Sequence, residues 1–170
     1  MMSEHEESNS THWFRWTPSE SLISSIRMYQ RHCGRPGFLA AAFRKVARLK
    51  HRIWSVVTAS DIDPAAILGE GLRLPHPTGV VINGAAVIGS GCMIMQQVTI
   101  GQMAGAGAPI IGANVYVGAG AKILGSVLIG DGARIGANAV VLINLPAHCT
   151  AVGVPARIVQ IGRASCRERV

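Results

Sequence analysis

The fold is decided by a stretch near the end of the chain, 121-AKILGSVLIGDGARIGANAVV-141. Ile123, Ile129, Ile135 and Val141 recur every six residues, a period that neither an α-helix (3.6) nor a simple strand (2.0) produces. The same ruler runs backwards through the sequence. Ile62, Leu68, Leu74 and Val80 obey it, then Ile82, Ile88, Ile94 and Ile100, then Ile111 and Val117. The two slips fall at 80–82 and at 100–111.

Other columns keep the same period. Gly69, Gly89, Gly101, Gly112, Gly118, Gly130 and Gly136 directly follow ruler positions. Small or aliphatic residues stand four places after them, among them Ala66, Ala86, Cys92, Val98, Val115, Ala121, Ala133 and Ala139. A fixed short period of this kind defines a solenoid whose stacked repeats bury one another. Each hexad supplies a short strand and a turn: the aliphatic points inward, the small residue fills the tight interior, and the glycine is expected to take the corner. Three hexads make one triangular coil, so residues 59–145 hold four or five coils. Composition agrees, because three Phe, three Trp and two Tyr in 170 residues cannot fill an aromatic core.

Upstream the text is helical. Ser19 to Ser21 offers caps for a helix carrying Leu22, Ile23, Ile26 and Met28, and Gly34-Arg35-Pro36-Gly37 breaks it. A second helix is expected from about Phe38 to Thr58, with Leu39, Phe43, Val46, Leu49, Ile53, Val56 and Val57 at helical spacing. The chain thus reads as a polar leader (1–18), a basic helical segment (19–58), the solenoid (59–145), a fold-back (146–161) and a tail (162–170) outside the fold.

The net charge of +7 is concentrated. Eight of the sixteen basic residues lie between Arg27 and Arg52, and no acid occurs from Ser21 to Ser60. Few aromatics are interleaved with them, which speaks against nucleic acid as a partner. Attraction to an anionic membrane surface or an anionic substrate fits better. The polar, acidic start is no signal peptide, and no apolar run approaches a membrane span. The spacing of Cys33, Cys92, Cys149 and Cys166 matches no zinc or redox motif. These features suggest reduced thiols in the cytoplasm, with the inner face of the membrane as a possible station.

Both slips invite a chemical explanation, since a regular solenoid needs none. The first follows Pro75-His76-Pro77-Thr78-Gly79, and the second spans the small-residue segment 101-GQMAGAGAPI-110. A segment so poor in large groups is expected to leave the coil as a mobile loop near a ligand. The interval of 11 there reads as one residue short of two hexads.

The pattern resembles the hexapeptide-repeat acyltransferases, and "DIDPAAILGEG", "HPTGVVI", "VTIG", "VGAGAKILG" and "GVPARIV" resemble their serine acetyltransferase branch. That resemblance implies a left-handed parallel β-helix preceded by two α-helices, assembly as a homotrimer, and acetyl-CoA as donor cosubstrate, with no permanently bound cofactor and no metal. It implies that His76 is the general base that deprotonates the acceptor hydroxyl and that Asp61 is its carboxylate partner. An imidazole with a near-neutral pKa suits that role, and a carboxylate on one ring nitrogen raises the basicity of the other. Asp61 is 15 residues upstream, close to one coil, and is expected to stack almost beneath His76. Gly101, Gly118, Ala119 and Ala137 match positions along the pantetheine arm, and Arg157 is a candidate for a coenzyme phosphate. Pro75, Thr78, Gln102 and Ala108 fall in the acceptor region. His148 reads as structural.

Two of these positions depart from serine acetyltransferases. Pro75 stands where an acid meets the serine ammonium, and Gly107-Ala108-Pro109 stands where an Arg-His-Pro reads its carboxylate. "LPHPTGVVI" also resembles short O-acetyltransferases of exopolysaccharide pathways, the colanic-acid type. The favoured expectation is therefore transfer to a sugar hydroxyl, with a short serine O-acetyltransferase as the alternative. A non-catalytic β-helix that serves binding or assembly is the second alternative.

Overall fold

A computed structural model describes residues 18–161. The expectations for the leader up to residue 17 and for the tail from residue 162 lie outside the described residues. Two helices, α1 (Pro18–His32) and α2 (Phe38–Thr58), precede fourteen short strands. Pro18, read as the end of the leader, is the first residue of α1, where its fixed φ suits a helix start.

The strands form three sheets, one on each face of the solenoid. Sheet A stacks β1 (Asp61–Ile62), β3 (Val81–Ile82), β6 (Thr99–Gly101), β9 (Lys122–Leu124) and β12 (Val140–Val141). Sheet B stacks β2 (Ile67–Leu68), β4 (Val87–Ile88), β7 (Ile110–Ile111) and β10 (Leu128–Ile129). Sheet C stacks β5 (Met93–Ile94), β8 (Tyr116–Val117), β11 (Arg134–Ile135), β13 (Cys149–Val152) and β14 (Arg157–Ile161). All pairings are parallel except β13 with β14, where the chain folds back. The five strands of sheet A mark five turns of a parallel β-helix, as the six-residue period requires.

The ruler aliphatics line the interior, with Ile62, Ile94, Ile100, Ile123 and Ile135 fully buried, and the small-residue column is buried beside them. Val80 belongs to that second column, not to the ruler. It precedes Ile82 as Val98 precedes Ile100, and its backbone carbonyl bonds the Asp61 N–H. The glycines divide differently from expectation as well. Those that follow the ruler residues have ordinary φ, and all but Gly101 are small because the next coil leaves no room: a Cβ on Gly89 would come within 2.5 Å of the Gly112 carbonyl carbon. The left-handed corner positions belong to others, among them Gly71, Gly91, Gly120, Asn114 and Asn138.

Register turns both slips into insertions. Asp61 pairs with Val81, so the first coil is twenty residues long, two more than three hexads, and the excess lies in the corner that holds His76. Ile88 pairs with Ile111 and Ile100 with Ile123, so 100 to 111 is one hexad with five residues inserted. It is not two hexads with one residue missing.

α1 closes the open end of the solenoid. Leu22, Ile23 and Ile26 join the same core as Ile62, Ala66 and Leu72. Gln30 Nε2 donates to the Pro64 and Ala66 carbonyls and Arg27 to the Gly69 carbonyl. α2 is tied to the first coil through His51, whose ring nitrogen bonds the Ile62 carbonyl at 2.9 Å. Its buried residues are Ala40, Ala47 and Thr58. The apolar residues read at helical spacing face away from this chain: Leu39, Phe43, Val46, Leu49, Ile53, Val56 and Val57 are all exposed. Among the described residues no helix is long and apolar enough to cross a membrane.

Candidate active site on one corner of the solenoid

The corner between sheets C and A gathers most of the residues singled out from sequence. Backbone bonds step along it one coil at a time: Gly79 N–H to the Ala59 carbonyl, Gln97 N–H to Thr78, Gly120 N–H to Gln96, and Asn138 N–H to Ala119. Pro75, His76 and Thr78 therefore occupy the first coil of this corner, Gly118 and Ala119 the third, and Ala137 the fourth. At roughly 4.8 Å per coil, His76 and Ala137 are about 14 Å apart along the axis. Arg157 continues the line. The segment ahead of it bonds β12, with Val140 N–H donating to the Gly153 carbonyl and Ala156 N–H to the Val140 carbonyl. This is an extended track with an exposed imidazole at one end and an exposed guanidinium at the other.

His76 owes its exposure to the two-residue insertion. Pro75 and Pro77 restrict the backbone on both sides of it. The Val80 N–H closes the turn on the Pro77 carbonyl. Leu74 and Val80 hold the ends of the segment in the core, 2% and 0% exposed, so the corner between them is pushed outward.

Asp61 is not stacked beneath His76. The first coil runs to twenty residues, so Asp61 is in register with Val81, on the outer face of sheet A beside the corner. Both side chains are exposed, and among the described residues no hydrogen bond joins them.

Gly101, Gln102 and Ala108 lie elsewhere, on the corner between sheets A and B, where the five-residue insertion leaves the third coil. Within one chain this loop is one coil and the width of sheet A away from His76. It is not loose. Gln102 Nε2 donates to the Ala106 carbonyl at 2.8 Å, Met103 rests beside Gly125, and Ala108 packs against the core. A shallow groove beneath it is lined by Met103, Leu124, Val127, Leu142 and Ile143. The glycines of the site differ in kind. A Cβ on Gly118 would meet the Ala137 nitrogen at 2.6 Å, so coil stacking alone demands glycine there. At Gly101 it would meet side chains alone, Leu124 at 3.3 Å and Thr99 at 3.7 Å.

Two residues of the same corner were not singled out from sequence. Gln96, on the coil next to His76, carries the one buried side-chain oxygen without a partner among the described residues. Its sequence signal was slight: a pair of glutamines, Gln96-Gln97, where the equivalent turns hold Ala, Gly or Asn. Lys122, on the flank of sheet A, reaches the Gln97 carbonyl at 2.7 Å. His148 takes a left-handed corner position, with its N–H on the Asp131 carbonyl. No cluster of His, Cys, Asp or Glu suited to a metal occurs among the described residues.

Six-residue repeats stacked in parallel coils around a buried aliphatic ruler define a β-helix of hexapeptide repeats. Residues 108–142 match the family described as bacterial transferase hexapeptide (six repeats). The chain belongs to the hexapeptide-repeat transferases, and its relatives are of the serine acetyltransferase branch. It is 40% identical over 139 residues to the serine acetyltransferase of Synechococcus elongatus, covering 73% of this chain and 57% of that one. A solved serine acetyltransferase in complex with CoA superposes with a TM-score of 0.72 at 36% identity, over 85% of this chain and 58% of that one. Soybean serine acetyltransferase complexed with serine gives 0.68 at 39% identity, over 84% of this chain and 56% of that one. The chain thus spans little more than half the length of these relatives.

These relatives overturn the expectation of a sugar hydroxyl as acceptor and of a place in exopolysaccharide synthesis. That expectation rested on two side chains, at Pro75 and Ala108. It failed because two positions and one short motif weigh less than a match that runs over most of the chain.

Proposed function

We propose that this chain transfers the acetyl group of acetyl-CoA to the hydroxyl of L-serine, with His76 as general base. The observation that carries the reading is the identity of 36–40% to serine acetyltransferases over a stretch that includes the whole His76 corner. The neutral imidazole takes the hydroxyl proton as the serine oxygen attacks the thioester carbonyl. The resulting tetrahedral intermediate collapses with cleavage of the C–S bond, and the imidazolium returns the proton to the departing CoA sulfur. Asp61 places a carboxylate on the flank of the same corner. Gly118, Ala119 and Ala137 leave the corner low enough for the pantetheine arm to lie against it, and Arg157 takes a phosphate of the coenzyme.

The reading includes a homotrimer. One chain keeps the 102–109 loop away from His76, so the loop meets that corner only across an interface between copies. Two apolar surfaces support association. The outer face of sheet B presents Ile67, Val87, Ile110 and Leu128 in line, three of them exposed. The exposed stripe of α2 runs Leu39, Ala42, Val46, Leu49, Ile53, Val56, alternating steps of three and four, the spacing of a seam between helices.

The test is release of free CoA from acetyl-CoA with L-serine as the only acceptor. Serine-dependent release with formation of O-acetylserine is expected. Release no faster than the acceptor-free blank, from protein that still binds acetyl-CoA, would overturn the reading.

A further inference from the structure

The serine reading leaves the carboxylate of the acceptor without a partner. Serine at neutral pH is a zwitterion, and a carboxylate that enters a partly desolvated cleft requires a cation. The 102–109 loop contains no charged residue, and Pro75 has no polar side chain. Between Arg52 and Lys122 the chain carries a single Lys or Arg, and it is Arg73.

Arg73 occupies the sheet C position of the first coil, in a parallel bridge with Met93. Its neighbour Leu74 points into the core, 2% exposed, so Arg73 points outward and is exposed. The chain then runs directly into the corner. His76 follows three residues later, which places the two Cα atoms no more than roughly 10 Å apart, within reach of an arginine side chain plus a small ligand. Several other arginines are engaged by the fold. Arg27 bonds the Gly69 carbonyl, Arg44 bonds the His32 and Arg35 carbonyls, and Arg134 lies over the Tyr116 ring. Arg73 has no such partner among the described residues. Across the same corner stands Asp61, also exposed. His76 is thus flanked by a cation on the sheet C side and a carboxylate on the sheet A side, the charge pattern that an amino acid complements.

We propose that Arg73 binds the carboxylate of the acceptor and so selects an amino acid over an uncharged alcohol. This assignment rests on the serine reading. A guanidinium offers two parallel N–H donors to a carboxylate, a geometry that lysine cannot reproduce.

The experiment compares wild type, Arg73→Gln and Arg73→Lys by steady-state kinetics, with L-serine and with 2-amino-1,3-propanediol, which keeps the amine and hydroxyl but lacks the carboxylate. Arg73 is exposed and unpartnered, so folding is not at stake; circular dichroism checks it. Arg73→Gln is expected to raise the KM for serine roughly ten- to a hundredfold, the worth of a hydrogen bond to a charged group. The KM for acetyl-CoA should stay within twofold, Arg73→Lys should fall between, and Arg73→Gln should lose the preference for serine over the diol. An unchanged serine KM in Arg73→Gln would overturn the assignment and leave the serine reading intact. So would parallel rises in the KM for serine and for acetyl-CoA. A wild-type protein that binds acetyl-CoA but shows no serine-dependent release would overturn the serine reading itself, and this assignment with it, before any variant is compared.

Discussion

At His76 the functional demand and the structural demand separate cleanly. The side chain is exposed and makes no contact that the fold needs, while Leu74 and Val80 hold the corner in place from the core. His76→Ala should therefore lower turnover by at least a hundredfold, the low end for loss of a general base. The thermal unfolding midpoint should stay within a degree or two. Normal turnover in a folded His76→Ala protein would remove the imidazole from the mechanism. The thiols make a second residue-scale test. Burial pushes the Cys92 and Cys149 thiols up, so both remain protonated near neutral pH and react slowly, because the thiolate is the nucleophile. Cys33 is exposed. With an alkylating reagent at pH 7, mass spectrometry of peptides should find Cys33 labelled well before either buried thiol. Raising the pH should narrow the gap; equal labelling at pH 7 would mean that the solenoid core opens on the labelling timescale.

Among the elements, the coil-stacking glycines and the inserted loop predict opposite phenotypes. A Cβ at Gly89 meets backbone that cannot move aside. Gly89→Ala should cost about 1–3 kcal/mol, the usual range for overpacking, and should lower the melting midpoint by several degrees. Gly101→Ala meets no backbone, only the ends of the Leu124 and Thr99 side chains, and should leave stability almost unchanged. A fall in acetyl-CoA affinity in that variant, read by calorimetry, would then report a ligand contact and not a packing defect. Excising Met103 to Gly107 restores an uninterrupted hexad between Ile100 and Ile111. The β-helix should survive, as judged by the far-ultraviolet spectrum, and serine acetylation should be lost. Retained activity would show that the loop takes no part in the site.

For the whole molecule, one chain leaves two apolar surfaces uncovered, the outer face of sheet B and the stripe on α2. Contiguous exposed apolar patches of this kind mark interfaces. Equilibrium sedimentation should give three times the chain mass. Ile110→Arg on sheet B or Leu49→Glu on α2 should shift the particle toward monomer and lower activity, because both separate the loop of one copy from the corner of the next. A monomeric wild type with full activity would contradict the shared site.

The solenoid was legible because its cause is local and repeated: a buried aliphatic every six residues imposes one strand per face, and no other regular structure has that period. Helix bounds were legible for a similar reason, since Gly34-Arg35-Pro36-Gly37 stops a helix wherever it stands. Resemblance supplied His76, Asp61 and the donor; spacing alone would have left a single histidine among many. Tertiary structure decided what depends on register. Only the pairing of Asp61 with Val81 and of Ile88 with Ile111 shows that both slips are insertions, puts His76 on one corner and the loop on another, and moves Asp61 from beneath the histidine to its flank. It also turned the α2 stripe outward, because Ala40 and Ala47 let the opposite face approach the rest of the chain closely. A period read along a chain determines which side chains go inside. It cannot say which turns come to lie on the same edge, because that is settled by the length of every coil between them.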